Sequence, residues 1–108
     1  MNYKVDALPV FEKQAKRLSK KYPSLKDDLK ILIGMLEENP TTGIALGNNF
    51  FKIRLKISSK GKGKSGGARV ITYLKVVKNT VYLSAIYDKG VKETITKEEL
   101  NFIFKLIP

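Results

Sequence analysis

The chain has 108 residues, enough for one domain with a single core, and its 43% apolar content is that of an ordinary globular protein. It contains no Cys and no His, which excludes disulfides and thiolate metal sites and removes the commonest metal ligand, so we expect no metal or other cofactor. The net charge of +11 favours a polyanionic partner, either nucleic acid or an anionic membrane face. No apolar run reaches the roughly 18 residues of a membrane span, and the first ten residues lack a secretion signal, so we expect a cytoplasmic protein.

The N-terminal third predicts a strand followed by two helices. Residues 2–8 alternate loosely and predict an opening strand, and Pro9 suits the first turn of a helix. Apolar residues then recur at helical spacing until Pro23 ends the helix. Ser24 is the predicted N-cap of a second helix, which should end near Asn39 because Pro40 follows. About three residues join the two helices, which predicts an antiparallel hairpin.

After a predicted loop over residues 41–49, the apolar period changes from 3.6 to 2. Strands over 51–57, 68–77 and 80–88, with a tight turn at Lys78–Asn79, predict an antiparallel meander. Thr96 and Glu99 have the spacing of a capping box and begin a short closing helix. The order β-α-α-β-β-β-α predicts an α+β fold in which the helices pack on one face of a small antiparallel sheet, the first two of them as an N-terminal helical hairpin. A single domain over residues 1–108 is the simplest organisation.

Positive charge is concentrated between residues 50 and 78. This stretch has no Asp or Glu, and its nine cationic residues are Lys52, Arg54, Lys56, Lys60, Lys62, Lys64, Arg69, Lys75 and Lys78. Within it, Gly63-Lys64-Ser65 matches the end of a nucleotide-binding phosphate loop. We reject that match, because position 58 is Ser where the motif needs Gly and the residues that follow have a strand pattern.

The strand period favours a binding surface for single-stranded RNA. Arg69, Tyr73 and Lys75 share one side of their strand, and Lys52, Arg54 and Lys56 share one side of the strand before it. If the two sides coincide, one face offers cations for phosphates and a ring for stacking on a base. The alternatives are a solvated lysine loop, a structural partner for Arg69, and core packing for Tyr73 and Tyr87.

The segment KIRLKISSKGKGKSGGARVITY, followed by TVYLSAIYDKG, resembles toxins of the RelE/HigB type, which belong to the RelE/ParE superfamily of bacterial type II toxin–antitoxin modules. The resemblance extends over most of the chain, including the early F-x-K-x-x-K-x-L-x-K-K-Y helix and the L-x-x-N-P end of the second helix. It implies an endoribonuclease that cleaves messenger RNA, commonly on the ribosome, and so inhibits translation. It also implies a cognate antitoxin of the helix-turn-helix type.

The resemblance also implies the roles of individual residues. The catalytic residues that it implies are Arg54, Lys60, Lys62, Lys64, Arg69 and Tyr87. The expected RNA contacts are Lys52, Lys56, Tyr73, Lys75 and, more weakly, Lys89.

Our hypothesis for the reaction is attack of the 2′-hydroxyl on its neighbouring phosphate, with no metal. A loop lysine crowded by cations would act as the base, because like charges lower the pKa of an ammonium group. Arg54 and Arg69 keep their protons and would stabilise the phosphorane, and Tyr87 would stack on a base. Three other readings stay open: a ParE-like toxin that binds DNA gyrase without cleavage, a basic nucleic-acid-binding module, and an inactive remnant.

Overall fold

The structure is a computed structural model that describes residues 2–61 and 66–108. The strands are β1 (Lys4–Ala7), β2 (Ile44–Gly47), β3 (Phe50–Leu55), β4 (Ala68–Lys75) and β5 (Thr80–Asp88). The helices are α1 (Pro9–Lys21), α2 (Leu25–Glu38) and α3 (Lys97–Leu106). Short 3₁₀ turns occupy Ser58–Lys60 and Val76–Lys78.

The five strands form one sheet in the order β1-β5-β4-β3-β2. Antiparallel pairing of β3, β4 and β5 confirms the predicted meander. The sheet is mixed rather than purely antiparallel, because β1 runs parallel to β5. A parallel pair needs a long crossover, which α1, α2 and the intervening strands provide.

The predicted loop over residues 41–49 is wrong in part, because it contains β2. Asn48 and Asn49 have φ values of 53° and 67°, as the two central residues of a tight hairpin turn require. This turn folds β2 back onto β3, with Gly47 opposite Phe50. Two consecutive asparagines were the signal in the sequence, since Asn tolerates the left-handed region better than most residues.

Helices α1 and α2 are joined by residues 22–24, which confirms the predicted short connection. Ser24 is the N-cap residue of α2, as predicted, but its side chain makes no capping hydrogen bond. Its hydroxyl instead donates to Asp28 Oδ2 at 2.8 Å.

The sheet separates two apolar clusters. On one side, which we call the hairpin face, Ile53, Val70 and Ile86 pack with residues of α1 and α2. On the other side, the α3 face, Phe50, Ile71 and Ala85 pack with Ile103 of α3. The expectation that all helices cover one face is therefore wrong for α3. Both faces of the central strands carry apolar side chains, and α3 buries those on the second face.

A β-bulge in β5 sets which side chains reach the α3 face. Ile71 pairs with Ala85 and Thr72 with Leu83, so Ser84 is the extra residue. Strict alternation from Tyr82 would send Tyr87 to the opposite face. The bulge shifts the alternation by one residue, and both tyrosines belong to the cluster under α3.

Candidate nucleic-acid interface

Three predicted site residues form a row across the sheet. Arg54 of β3 pairs with Arg69 of β4, and Arg69 pairs with Tyr87 of β5. Residues that are directly opposite in antiparallel strands point to the same face, with Cα atoms about 4.5–5.5 Å apart. The row therefore places two guanidinium groups and a phenol on the α3 face.

The three members of the row differ in exposure. Arg54 is exposed, whereas Arg69 is only 4% exposed and donates from Nη1 to the carbonyl of Ala68 at 3.1 Å. The Tyr87 hydroxyl is buried and has no hydrogen-bond partner among the residues that the structure describes. Burial raises the pKa of Tyr87, and the charge of Glu99 adds to this effect while that of Arg69 opposes it. Tyr87 is therefore a protonated phenol at neutral pH.

A line of cations follows β3 beside this row. Lys52 pairs with Ile71 and so shares the α3 face with Arg54, and Lys56 continues the same alternation beyond the strand. We call Lys52, Arg54 and Lys56 the β3 stripe. All three also border a cleft of about 570 Å³ between α2 and β3. Arg54 and Lys56 are exposed, and Lys52 is half-buried.

The aromatic and basic residues of β4 lie further along the α3 face. Tyr73 pairs with Phe50 and contacts its ring edge-on, with centroids 5.0 Å apart. Lys75 donates from Nζ to the carbonyl of Pro108, near the C-terminal end of α3. Tyr73 is thus half-buried at one end of the face, and the Lys75 ammonium has a protein partner.

Lys60 does not join the row. Its ammonium donates to Asp88 Oδ1 at 2.6 Å and lies 5.3 Å from the centre of the Tyr22 ring. Burial alone would lower the pKa of Lys60, but the hydrogen bond and charge of Asp88 outweigh burial and raise it. The expectation of a lowered lysine pKa is therefore wrong for Lys60, because its ammonium is paired with the Asp88 carboxylate.

Asp88 organises this buried group on the hairpin face. Its carboxylate also accepts a hydrogen bond from the Tyr22 hydroxyl at 2.8 Å and one from the Gly90 amide at 2.9 Å. Burial pushes the pKa of Asp88 upward, but the hydrogen bonds from Lys60 and Tyr22 outweigh burial and lower the pKa to about 2.

A second carboxylate fixes the same segment of chain. Asp28 of α2 accepts hydrogen bonds from the Ser58 amide at 3.0 Å and the Ser58 hydroxyl at 2.8 Å. Burial raises the pKa of Asp28, but the hydrogen bonds from Ser58 and Ser24 outweigh it and leave the pKa below its usual value. Asp28 and Asp88 together hold residues 58–60 against the helical hairpin and the end of β5.

The remaining predicted residues lie outside this arrangement. Lys62 and Lys64 fall outside the described residues. Lys89 makes a surface ion pair with Glu93, at 3.4 Å. Among residues 2–61 and 66–108, no group of three or more acidic side chains could hold a metal ion. No helix in these two ranges is both long enough and apolar enough to cross a membrane.

Comparison with known proteins identifies the fold. No protein-family model matches the sequence. Among solved structures, a doubly substituted form of the E. coli toxin RelE in the free state is similar over 100% of both chains, with a TM-score of 0.66 and 17% sequence identity. The chain has the RelE fold.

Within this RelE fold, sequence reasoning missed the acidic partners of the site. Asp88 follows Tyr87 directly and is the only charged residue of β5, and this was the signal in the sequence. Lys92 and Glu99 lie beside Tyr87: the Lys92 ammonium is 5.7 Å from the Tyr87 ring centre and is paired with Glu99. The hydrogen bond from Lys92 is the main cause that lowers the pKa of Glu99.

Proposed function

We propose that this protein is the toxin of a type II toxin–antitoxin module and that it cleaves messenger RNA as a metal-independent endoribonuclease. The observation that carries the proposal is the row of Arg54, Arg69 and Tyr87 across three strands, beside the β3 stripe. The RelE fold supports it, since the similar solved structure is that of a toxin.

The proposed reaction is attack of a ribose 2′-oxygen on the adjacent phosphorus, with departure of the 5′-oxygen. The exposed guanidinium of Arg54 would bind the non-bridging phosphate oxygens as negative charge grows on them. Arg69 would stabilise the phosphorane from its buried position in β4. Its charge is poorly screened by solvent there, so it acts more strongly than an exposed charge at the same distance. Tyr87 would stack on a base and orient the scissile link; because its hydroxyl is buried, the leaving oxygen would take its proton from water.

The proton acceptor for the 2′-hydroxyl is a separate part of the proposal. Lys60 is excluded from this role, since a raised pKa keeps it an ammonium ion. Lys62 and Lys64 stay predictions for this role.

The proposal includes two partners. Messenger RNA would be met on the ribosome, where cleavage stops translation. A cognate antitoxin, of the helix-turn-helix type, would bind the toxin and neutralise it. We expect it to be encoded beside this gene, and its co-expression to restore growth of cells that the toxin arrests.

The test is to incubate the protein with translating ribosomes and to map the RNA ends. Discrete new 5′ ends are expected with the wild-type chain. Arg54→Ala and Arg69→Ala should each reduce cleavage at least about 100-fold, the scale seen when one oxyanion donor is removed. Lys13→Ala, at an exposed position on α1, is the matched loss of one charge and should cleave normally.

Two results would contradict the proposal. Intact RNA together with inhibited DNA supercoiling would favour a gyrase-binding toxin. Normal cleavage by a folded Arg69→Ala variant would remove Arg69 from the mechanism, and melting curves establish that the variant is folded.

A further inference from the structure

An uncharged cleft lies at the end of β3, beside the turn between β2 and β3. Its volume is about 490 Å³, and the residues that line it are Asn48, Asn49, Phe50, Tyr73, Asn101 and Phe104. None of these six side chains is charged, although 21 of the 108 residues are Lys or Arg. The cleft therefore offers aromatic surface and amide groups without a charge.

Its aromatic wall is held in place by edge-on contacts. The Tyr73 ring centre is 5.0 Å from that of Phe50 and 5.8 Å from that of Phe104, with interplanar angles of 63° and 69°. Phe50 is buried, whereas Phe104 is 53% exposed. An aromatic ring fixed on one side and open on the other provides a flat surface on which a second ring is able to stack.

The amide groups come from two elements whose backbones are fixed. Asn48 and Asn49 form the hairpin turn, and the Asn49 carbonyl accepts a hydrogen bond from the Leu74 amide at 2.9 Å. Asn101 approaches from α3. An asparagine side chain carries both donors and an acceptor, so it is able to pair with the edge of a nucleobase.

The cleft continues the β3 stripe. Phe50 precedes Lys52 by two residues, and Lys52, Arg54 and Lys56 follow one another at the same interval on the α3 face. Two residues of a strand span about 6.6 Å, which is comparable to the spacing of phosphates along an extended nucleic-acid chain. An RNA strand whose phosphates contact the stripe would bring its next nucleotide to this cleft.

We propose that the cleft is a nucleobase subsite, which binds one unpaired base of the RNA next to the phosphates held by the β3 stripe. Phe104 and Tyr73 contact the face of the base, and the asparagine amides contact its edge. This inference rests on the proposed function, because it takes single-stranded RNA as the ligand.

The first test measures binding of a short 2′-O-methyl RNA, which cannot be cleaved, by fluorescence polarisation. Phe104→Leu keeps apolar volume and helix propensity but removes the ring. Loss of one stacking contact should weaken binding at least about 5-fold. Leu106→Ala is the control: Leu106 is 42% exposed on the same helix and does not line this cleft. It should bind the RNA as the wild type does.

A second test removes the base instead of the ring. Abasic positions are introduced one at a time into the same oligonucleotide. At one position, the abasic substitution should weaken binding to the wild type by about the same factor as Phe104→Leu does. The same substitution should not weaken binding to the Phe104→Leu variant any further, because the two changes remove the same contact.

The outcomes separate this inference from the proposed function. Equal affinity of the Phe104→Leu and Leu106→Ala variants, with no sensitive abasic position, would overturn the subsite while Arg54→Ala still weakened binding. A wild-type chain that bound no RNA would overturn the subsite, whereas the proposed function is decided separately by the RNA ends mapped on translating ribosomes.

Discussion

Two adjacent residues at the end of β5 point to opposite faces of the sheet. Tyr87 points to the α3 face beside Arg69, and Asp88 points to the hairpin face, where it binds Lys60 and Tyr22. The side chains of Lys60 and Asp88 are 12% and 6% exposed, so their ion pair is shielded from solvent. Removing one partner of such a pair leaves a buried charge without compensation, which costs more than the loss of a surface pair.

Asp88→Asn should therefore be less stable than the wild type at neutral pH. Lowering the pKa of Asp88 from 3.8 to about 2 corresponds to roughly 2 kcal/mol of unfolding free energy. Because the folded pKa is depressed, this contribution is present above about pH 4 and disappears as the pH falls towards 2. Urea denaturation at several pH values should show the difference between wild type and variant shrinking over that range.

Glu93→Gln is the control for this experiment, since the Glu93 side chain is 89% exposed in its ion pair with Lys89. Its unfolding free energy should follow that of the wild type within a few tenths of a kcal/mol. A stability difference for Asp88→Asn that persisted unchanged at pH 2 would contradict the assigned role of the carboxylate.

At the scale of elements, α3 links the two parts of the α3 face. Ile103 packs on the cluster that contains Ile71 and Ala85, Glu99 lies beside Tyr87, and Phe104 borders the uncharged cleft. The helix begins with a complete capping box, in which Thr96 Oγ1 accepts from the Glu99 amide at 3.1 Å and Glu99 Oε1 accepts from the Thr96 amide at 2.9 Å. The docking of α3 thus depends on a local interaction that the sequence already shows.

Thr96→Ala should destabilise α3 by about 1 kcal/mol, the usual effect of losing an N-cap side chain. Hydrogen exchange of the α3 amides should become faster, while amides in the centre of β4 stay protected. Thr94→Ala, at an exposed position before the helix, is the matched control and should leave exchange unchanged. Equal exchange rates in the two variants would show that the capping box does not hold α3.

At the scale of the whole molecule, the net charge of +11 is useful for RNA binding only where cations share a face. The β3 stripe supplies three such cations, whereas Lys60, Lys75 and Lys92 are occupied by protein partners. Charge neutralisation of single-stranded nucleic acid gives a salt dependence of about −0.7 per phosphate contact in a plot of log K against log salt concentration.

Arg54→Gln and Lys56→Gln should each make that slope shallower by about 0.7, since each removes one contact with a phosphate. Lys13→Gln removes the same charge from α1 and should leave the slope unchanged. Titrations at four or more salt concentrations provide the measurement. A slope that changed equally in all three variants would mean that the whole surface, and not the stripe, attracts the RNA.

The sequence by itself determined the elements of this protein other than β2, and the surplus of charge around β3. Helical spacing in α1 and α2, alternation in β3 and β4, and the Thr96–Glu99 spacing are local patterns, so they could be recognised without knowledge of the fold. The common side of Arg54 and Arg69 also followed from alternation, once β3 and β4 were paired in the observed register.

Only the tertiary structure decided which charges stay available. The bulge at Ser84 brings Tyr87 to the face of Arg69. The end of β5 lies beside Tyr22 and Lys60, so that Asp88 binds both of them. Asp88 and Lys60 are 28 residues apart, and Asp88 and Tyr22 are 66 apart. Pairing across such separations depends on strand register and helix packing, and no local pattern in the sequence encodes either of them.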